Sequence, residues 1–223
     1  MASMKSMKVL ITGARGVLGS SVLQKYAQTG AKVYGVDLPG EFKNSHGAEF
    51  IPLDLSDSKS VQSALSGLDV DVLVHCAGGF RFAMTEQITD VDMDFLWNAN
   101  LRSGIVLARE LLPGMKKKNF GRMVFVSARA TQAPGVGVGA YAATKAGLNM
   151  LVGSIADETK DFDINVNAVL PTIIDTPNNR SDMPQADFTK WVKPDEISEI
   201  VYGLTSPWGK PIHGALIPVA GRL

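Results

Sequence analysis

The chain has 223 residues, 45% of them apolar and 20% charged, which suits one α/β domain with a sizeable core. Lys+Arg and Asp+Glu balance at 22 each, so the charge gives no sign of nucleic acid or an anionic membrane as partner. A single cysteine excludes an internal disulfide and a cysteine metal cluster, and three histidines without HExxH-type spacing argue against a metal site.

Met1 to Met7 lacks the apolar core of a signal peptide, and no apolar stretch is long enough to span a bilayer, so a reducing cytoplasm is the expected setting. Lys8–Thr12 is a short β-branched run that reads as a buried strand. The loop Gly13-Ala14-Arg15-Gly16-Val17-Leu18-Gly19 follows, then an amphipathic helix from Val17 to Gln28 that stops at Thr29-Gly30. Strand, glycine loop and helix start form a dinucleotide site. Glycines admit the pyrophosphate, and the helix start offers free N–H groups and positive potential. Gly13, Arg15, Gly16, Val17, Leu18 and Gly19 are therefore candidate cofactor contacts. The second strand, Lys32–Asp37, ends in an acid placed to bind the adenosine ribose hydroxyls and repel a 2′-phosphate. Asp37 thus points to NAD(H). Arg15 competes, since a loop arginine can bind the phosphate of NADP(H), which stays possible.

Strands are expected next at Glu49–Pro52, Val72–Cys76, Arg122–Ser127, Ile164–Leu170 and Ala215–Val219. Helical patterns lie between them near Lys59–Ser66, Val91–Leu112, Tyr141–Lys160 and Asp195–Leu204. This alternation predicts a doubly wound Rossmann fold, a seven-stranded and mainly parallel sheet with helices on both faces. Cys76 reads as a small buried residue, and Lys116 to Lys118 as a solvated helix end. Tyr141 and Lys145 share one helical face. A nearby ammonium favours the phenolate, so Lys145 is expected to lower the tyrosine pKa and tune Tyr141 as a general acid. Residues 171–194 carry four prolines and are long for a connector in what reads as one domain spanning 1–223, which suggests a substrate lid.

Glycine loop, Asp37 and YxxxK together resemble the short-chain dehydrogenase/reductase family along essentially the whole chain. The resemblance implies further site residues. Asp54 and Leu55 would meet the adenine. Cys76-Ala77-Gly78-Gly79 matches the Asn-Asn-Ala-Gly motif that lines the cofactor, giving Ala77, Gly78 and Gly79. Asn100 matches an asparagine that holds a proton-relay water. Pro171, Thr172, Ile174 and Thr176 fall beside the nicotinamide, and Lys145 would also hold its ribose. A homodimer or homotetramer is implied by resemblance alone.

The chain departs from the family in three places. Gly16 comes one residue early, with Val17 where the middle glycine usually stands. Ala128 occupies the position of the catalytic serine, and Ser127 precedes it. Phe80 and Phe82 follow the Ala-Gly-Gly. At each place, and along Asp175 to Trp191, the chain is similar to the dihydropteridine reductase branch. That similarity implies an NADH-dependent reduction of a quinonoid dihydropterin or a comparable electron-poor heterocycle. Phe80, Phe82 and Trp191 are candidate pocket walls or plain core. The alternative is an NAD(P)-dependent carbonyl or 3-oxoacyl reductase with Ser127 as a bulged oxyanion donor. A non-catalytic NAD-sensing protein is a third reading, disfavoured by Asn100, Tyr141 and Lys145.

Overall fold

The computed structural model describes residues 6–43 and 45–223, so the reading of Met1 to Met7 rests mostly on residues outside those described. Seven strands form one sheet in the order β3-β2-β1-β4-β5-β6-β7. They are β1 (Lys8–Thr12), β2 (Lys32–Asp37), β3 (Glu49–Pro52), β4 (Val72–His75), β5 (Gly121–Val126), β6 (Ile164–Pro171) and β7 (Leu216–Val219). Every neighbouring pair is parallel, so the sheet is wholly rather than mainly parallel.

Parallel strands need crossovers, and the helices that make them cover both faces. On one face lie α1 (Val17–Ala27) and α7 (Pro194–Thr205), which pack Leu18, Val22, Leu23, Ile197 and Val201 against Val9, Ile11, Val74, Val124 and Val169. On the other lie α2 (Ser58–Leu65), α4 (Ser103–Lys118) and α5 (Gly139–Thr159), which pack Val61, Leu107, Leu148 and Val152 against Leu10, Leu73, Phe125 and Ala168. Alternate residues of a strand serve opposite faces, so β4 and β5 are buried throughout and apolar but for His75 and Arg122.

The helix expected over 91–112 is three pieces. α3 (Asp90–Leu96) runs into a π-helical turn, Trp97–Arg102, before α4. The Ser103 N–H reaches back five residues to the Asn98 carbonyl, the register of a π turn. α4 ends at Lys118 on a left-handed Asn119. Lys118 is not simply solvated. It donates to Asp69 at 2.8 Å, Asp71 at 2.6 Å and the Val70 carbonyl at 2.8 Å.

The segment after β6 carries its own structure. Its feet join where Asp175 N–H donates to Val192 O and Val192 N–H to Ile173 O. Between them stands α6 (Pro177–Asp182), capped by Thr176 and fixed by a two-pronged Arg180–Asp175 pair. Trp191 is buried against Phe188, ring centroids 4.8 Å apart, so it is core of this arch rather than a pocket wall. No helix among the described residues is long and apolar enough to cross a membrane.

Candidate active site

β1 lies between β2 and β4, where the chain leaves the sheet in opposite directions, and a crevice opens beyond the carboxyl ends of these strands. A cavity of about 1020 Å³ fills it, with Gly13, Arg15, Gly16, Asp37, Asp54, Leu55, Ala77 and Gly78 in its wall. The glycines are sterically required. Gly13 has φ +64° and a Cβ there would stand 2.8 Å from Ala77 N, while a Cβ on Gly19 would collide with the Gly13 carbonyl. Gly19 therefore packs the turn rather than the cavity, and the Leu18 side chain belongs to the core. α1 begins at Gly16 with no side-chain cap, so its first N–H groups stay free to meet an anion.

The Asp37 carboxylate accepts from the Arg15 N–H at 2.9 Å and from the Leu38 N–H at 2.8 Å. It is thereby locked at the cavity wall. The Arg15 guanidinium donates to the Leu38 carbonyl at 3.2 Å and lies flat on Gly40, where a Cβ would stand 2.6 Å from Nη1.

At the far end of the cavity, Asn100 sits inside the π turn. Its Oδ1 accepts from Gly79 N–H at 2.8 Å, and its Nδ2 donates to Gly79 O at 2.9 Å and to Thr144 Oγ1 at 3.2 Å. Both amide protons are used, so the side chain straps Gly79 to α5. Gly78 lies against this strap. A Cβ there would be 2.9 Å from Asn100 Oδ1 and 3.0 Å from Lys145 Nζ.

Tyr141 and Lys145 occupy the first turns of α5, as their spacing requires. Their protonation differs from the expectation. Burial pushes the Tyr141 phenol up to about 12, and Phe80 stands edge-on to its ring at 5.0 Å. The buried Lys145 ammonium donates to the Val126 carbonyl at 2.8 Å, and burial pushes its pKa down to about 8. Loss of solvent, which disfavours the charged form of each group, sets both directions.

Ser127 gives no sign of a bulge. Its N–H continues the ladder to Val169 O at 2.8 Å, and its hydroxyl donates to the Lys145 carbonyl at 3.3 Å. Its hydroxyl proton is thereby engaged by the α5 main chain. Ala128 follows in extended backbone. Thr172 is also occupied, its hydroxyl donating to Ala220 O at 2.9 Å, and Ile174 pairs with Val192 in an isolated bridge. Pro171 ends β6, and the Thr176 hydroxyl caps α6. Phe80 and Phe82 are largely exposed rather than core. Phe82 lies on Gly137, and Ala83 N–H donates to Gly137 O at 2.9 Å, so two loops meet above the dyad.

The description "short chain dehydrogenase" matches residues 7–187. The chain belongs to the short-chain dehydrogenase/reductase family. It is 31% identical to the 3-oxoacyl-[acyl-carrier-protein] reductase MabA of Mycobacterium bovis, covering 98% of this chain and 93% of that one. It is 29% identical to the 3-oxoacyl-[acyl-carrier-protein] reductase FabG of Thermotoga maritima, covering 96% of each. A solved short chain dehydrogenase/reductase family protein superposes with a TM-score of 0.92 at 27% identity, covering 99% of this chain and 98% of that one. The chain is an oxidoreductase of this family, which uses a nicotinamide cofactor. These relatives support the family and not the dihydropteridine reductase branch. The local resemblance around Ala128 and the lid was misleading about overall kinship.

Sequence reasoning missed several residues that build this site. Thr12, His75, Thr144 and Ser103 hold its backbone, and Phe95 and Asn98 line the cavity. The available signal was polarity inside otherwise apolar runs, as at Thr12 and His75.

Proposed function

We propose that this protein is an NAD(P)-dependent reductase of a carbonyl group, with 3-oxoacyl thioesters or small ketones as the first substrate class. The observation that carries the reading is that Gly78, in the wall of the glycine-loop cavity, lies against Asn100 and Lys145, with Tyr141 one turn from Lys145 on α5. The glycine cradle and uncapped α1 fit a dinucleotide, which supplies the hydride when bound. Gly13, Gly16 and Asp37 would hold its adenosine half, and Ala77, Gly78, Lys145 and Thr176 its nicotinamide half. Tyr141 keeps its proton at neutral pH and donates it to the substrate oxygen. Lys145, one turn along, supplies the cation that stabilises the phenolate left behind. Asn100 holds the Gly79 wall in place. Residues 171–194 act as the lid over a single domain. A cytoplasmic homodimer or homotetramer is the assembly we infer.

The orientation of Ser127 favours a second reading. A ketone gains from a hydroxyl donor at its oxygen, worth roughly 10²–10³ in rate. With Ser127 turned to α5 and Ala128 lacking a hydroxyl, an electron-poor acceptor such as a quinonoid dihydropterin is the better match to this wall. NADH is the favoured cofactor because the carboxylate of Asp37, held at the cavity wall, would repel a 2′-phosphate, and Arg15 leaves NADPH tolerated.

Oxidation of NADH and of NADPH is measured with an acetoacetyl thioester and with a quinonoid dihydropterin. Turnover of the thioester supports the first reading. Turnover of the pterin alone, with Ser127→Ala changing kcat only a few-fold, supports the second. Binding of neither cofactor would remove both.

A further inference from the structure

Behind the cavity wall lies a buried imidazole that the proposed reaction leaves idle. His75 ends β4 with no solvent exposure, between β1 and α4. Its Nδ1 is 2.8 Å from Thr12 Oγ1, and its Nε2 is 3.2 Å from Ser103 Oγ. The direction of every hydrogen follows from the neighbours. Ser103 donates its hydroxyl proton to the Ala99 carbonyl at 2.8 Å, so it accepts from His75 Nε2–H. Nδ1 is then unprotonated and accepts from the Thr12 hydroxyl. Thr12 Oγ1 in turn accepts from the Ala77 N–H at 3.2 Å. Ala99 is bonded to Asn100, and Asn100 grips Gly79. The series Ala77, Thr12, His75, Ser103, Ala99, Asn100, Gly79 closes on itself, with Gly78 held in the gap.

We propose that His75, as the neutral Nε2–H tautomer, is a positioning residue that fixes the Ala77–Gly79 wall relative to the π turn carrying Asn100. It acts through Thr12 and Ser103 and touches neither cofactor nor substrate. The proposal rests on the reading of this cavity as the cofactor site. Burial, with the charge of Lys145 adding to it, pushes the imidazole pKa down to about 3, consistent with a ring that stays neutral. Phe125 and the Gly104 backbone flank the rest of the ring.

Two measurements use the chain without cofactor. Nitrogen-15 NMR of the histidine rings is expected to show His75 as Nε2–H, without titration from pH 5 to 9. An Nδ1–H tautomer, or titration near pH 6, would overturn the proposal even if no variant folds. Amide exchange in His75→Leu is expected to show Ala77 losing more protection than the global stability loss accounts for. His75→Gln, which can donate and accept with the same polarity, is expected to restore it. A third measurement is cofactor affinity. His75→Leu is expected to weaken the favoured reduced cofactor roughly tenfold, and His75→Gln by less than about threefold. Unchanged affinity and uniform loss of protection would make His75 merely structural. If the wild-type chain binds neither NADH nor NADPH, the cofactor reading fails, while ring tautomer and Ala77 exchange still decide whether His75 holds the wall.

Discussion

Lys145 carries a stability cost that the role proposed for it would explain. Its ammonium is buried with one hydrogen bond to a main-chain carbonyl, and its pKa falls from 10.5 to about 8. Below about pH 8 the folded chain bears the whole penalty of the buried charge. Between about 8 and 10.5 the folded chain has released a proton that the unfolded chain keeps, so stability rises with pH across that window. Lys145→Met should remove this rise and stabilise the protein at pH 7. The pKa shift corresponds to a gain on the order of 3 kcal/mol, of which the orphaned Val126 carbonyl takes back about 1 kcal/mol. Urea titrations at pH 7 and pH 10 read the difference, and a destabilised Lys145→Met at pH 7 would contradict it. On the proposed mechanism the same variant should lose activity, because stability and a counter-charge for the phenolate would make opposite demands on one side chain. Tyr141→Phe keeps the ring that Phe80 packs against and removes the proton. Its kcat should fall by roughly 10²–10⁴-fold with cofactor affinity near wild type, as steady-state rates and a binding titration would show.

The glycine loop depends on α1, and α1 depends on α7. The Tyr26 hydroxyl donates to Thr205 Oγ1 at 2.5 Å, since Thr205 donates onward to the Tyr202 carbonyl. Ser21 meets Ser198, and Lys25 meets Glu199 with its ammonium over the Tyr202 ring. Tyr26→Phe should cost about 1 kcal/mol, because the buried Thr205 oxygen loses a donor. A lowered urea midpoint with an unchanged slope would confirm it, and an unchanged midpoint would refute it. The elements themselves were legible in the sequence. Apolar, β-branched runs marked the inner strands β1, β4, β5 and β6, because a parallel sheet buries both of their faces. The π turn was not legible, since Trp97–Arg102 keeps a helical pattern and only the added residue per turn betrays it. Gly13 was legible because a left-handed turn is a local demand, and Asp37 because it ends β2, the strand paired beside the loop. The engagement of Asn100 with Gly79, and of Ser127 with α5, depends on contacts across the fold that no spacing encodes. The tyrosine pKa was misjudged because sequence shows which charges are near and not how much water is gone.

Cofactor binding couples the site to the stability of the entire chain, because the cavity wall draws on β1, β2, β4 and the π turn together. A ligand that binds only the folded state at a hundred times its Kd adds about 2.7 kcal/mol. For a chain of this size that should raise Tm by roughly 5–11 °C. A thermal scan with and without the favoured reduced cofactor reads this, and no shift under saturating conditions would count against a preformed site. The strand order has one more outcome, which concerns how the molecule is made. β1 leaves the ribosome well before β4, yet its inner edge pairs Val9 with Val72 of β4. At 5–20 residues per second that edge waits roughly 3–13 s for its partner. During that interval Val9-Leu10-Ile11 offers an open, apolar template, and the nascent chain is most exposed to chaperones and to mispairing before the cofactor cavity exists.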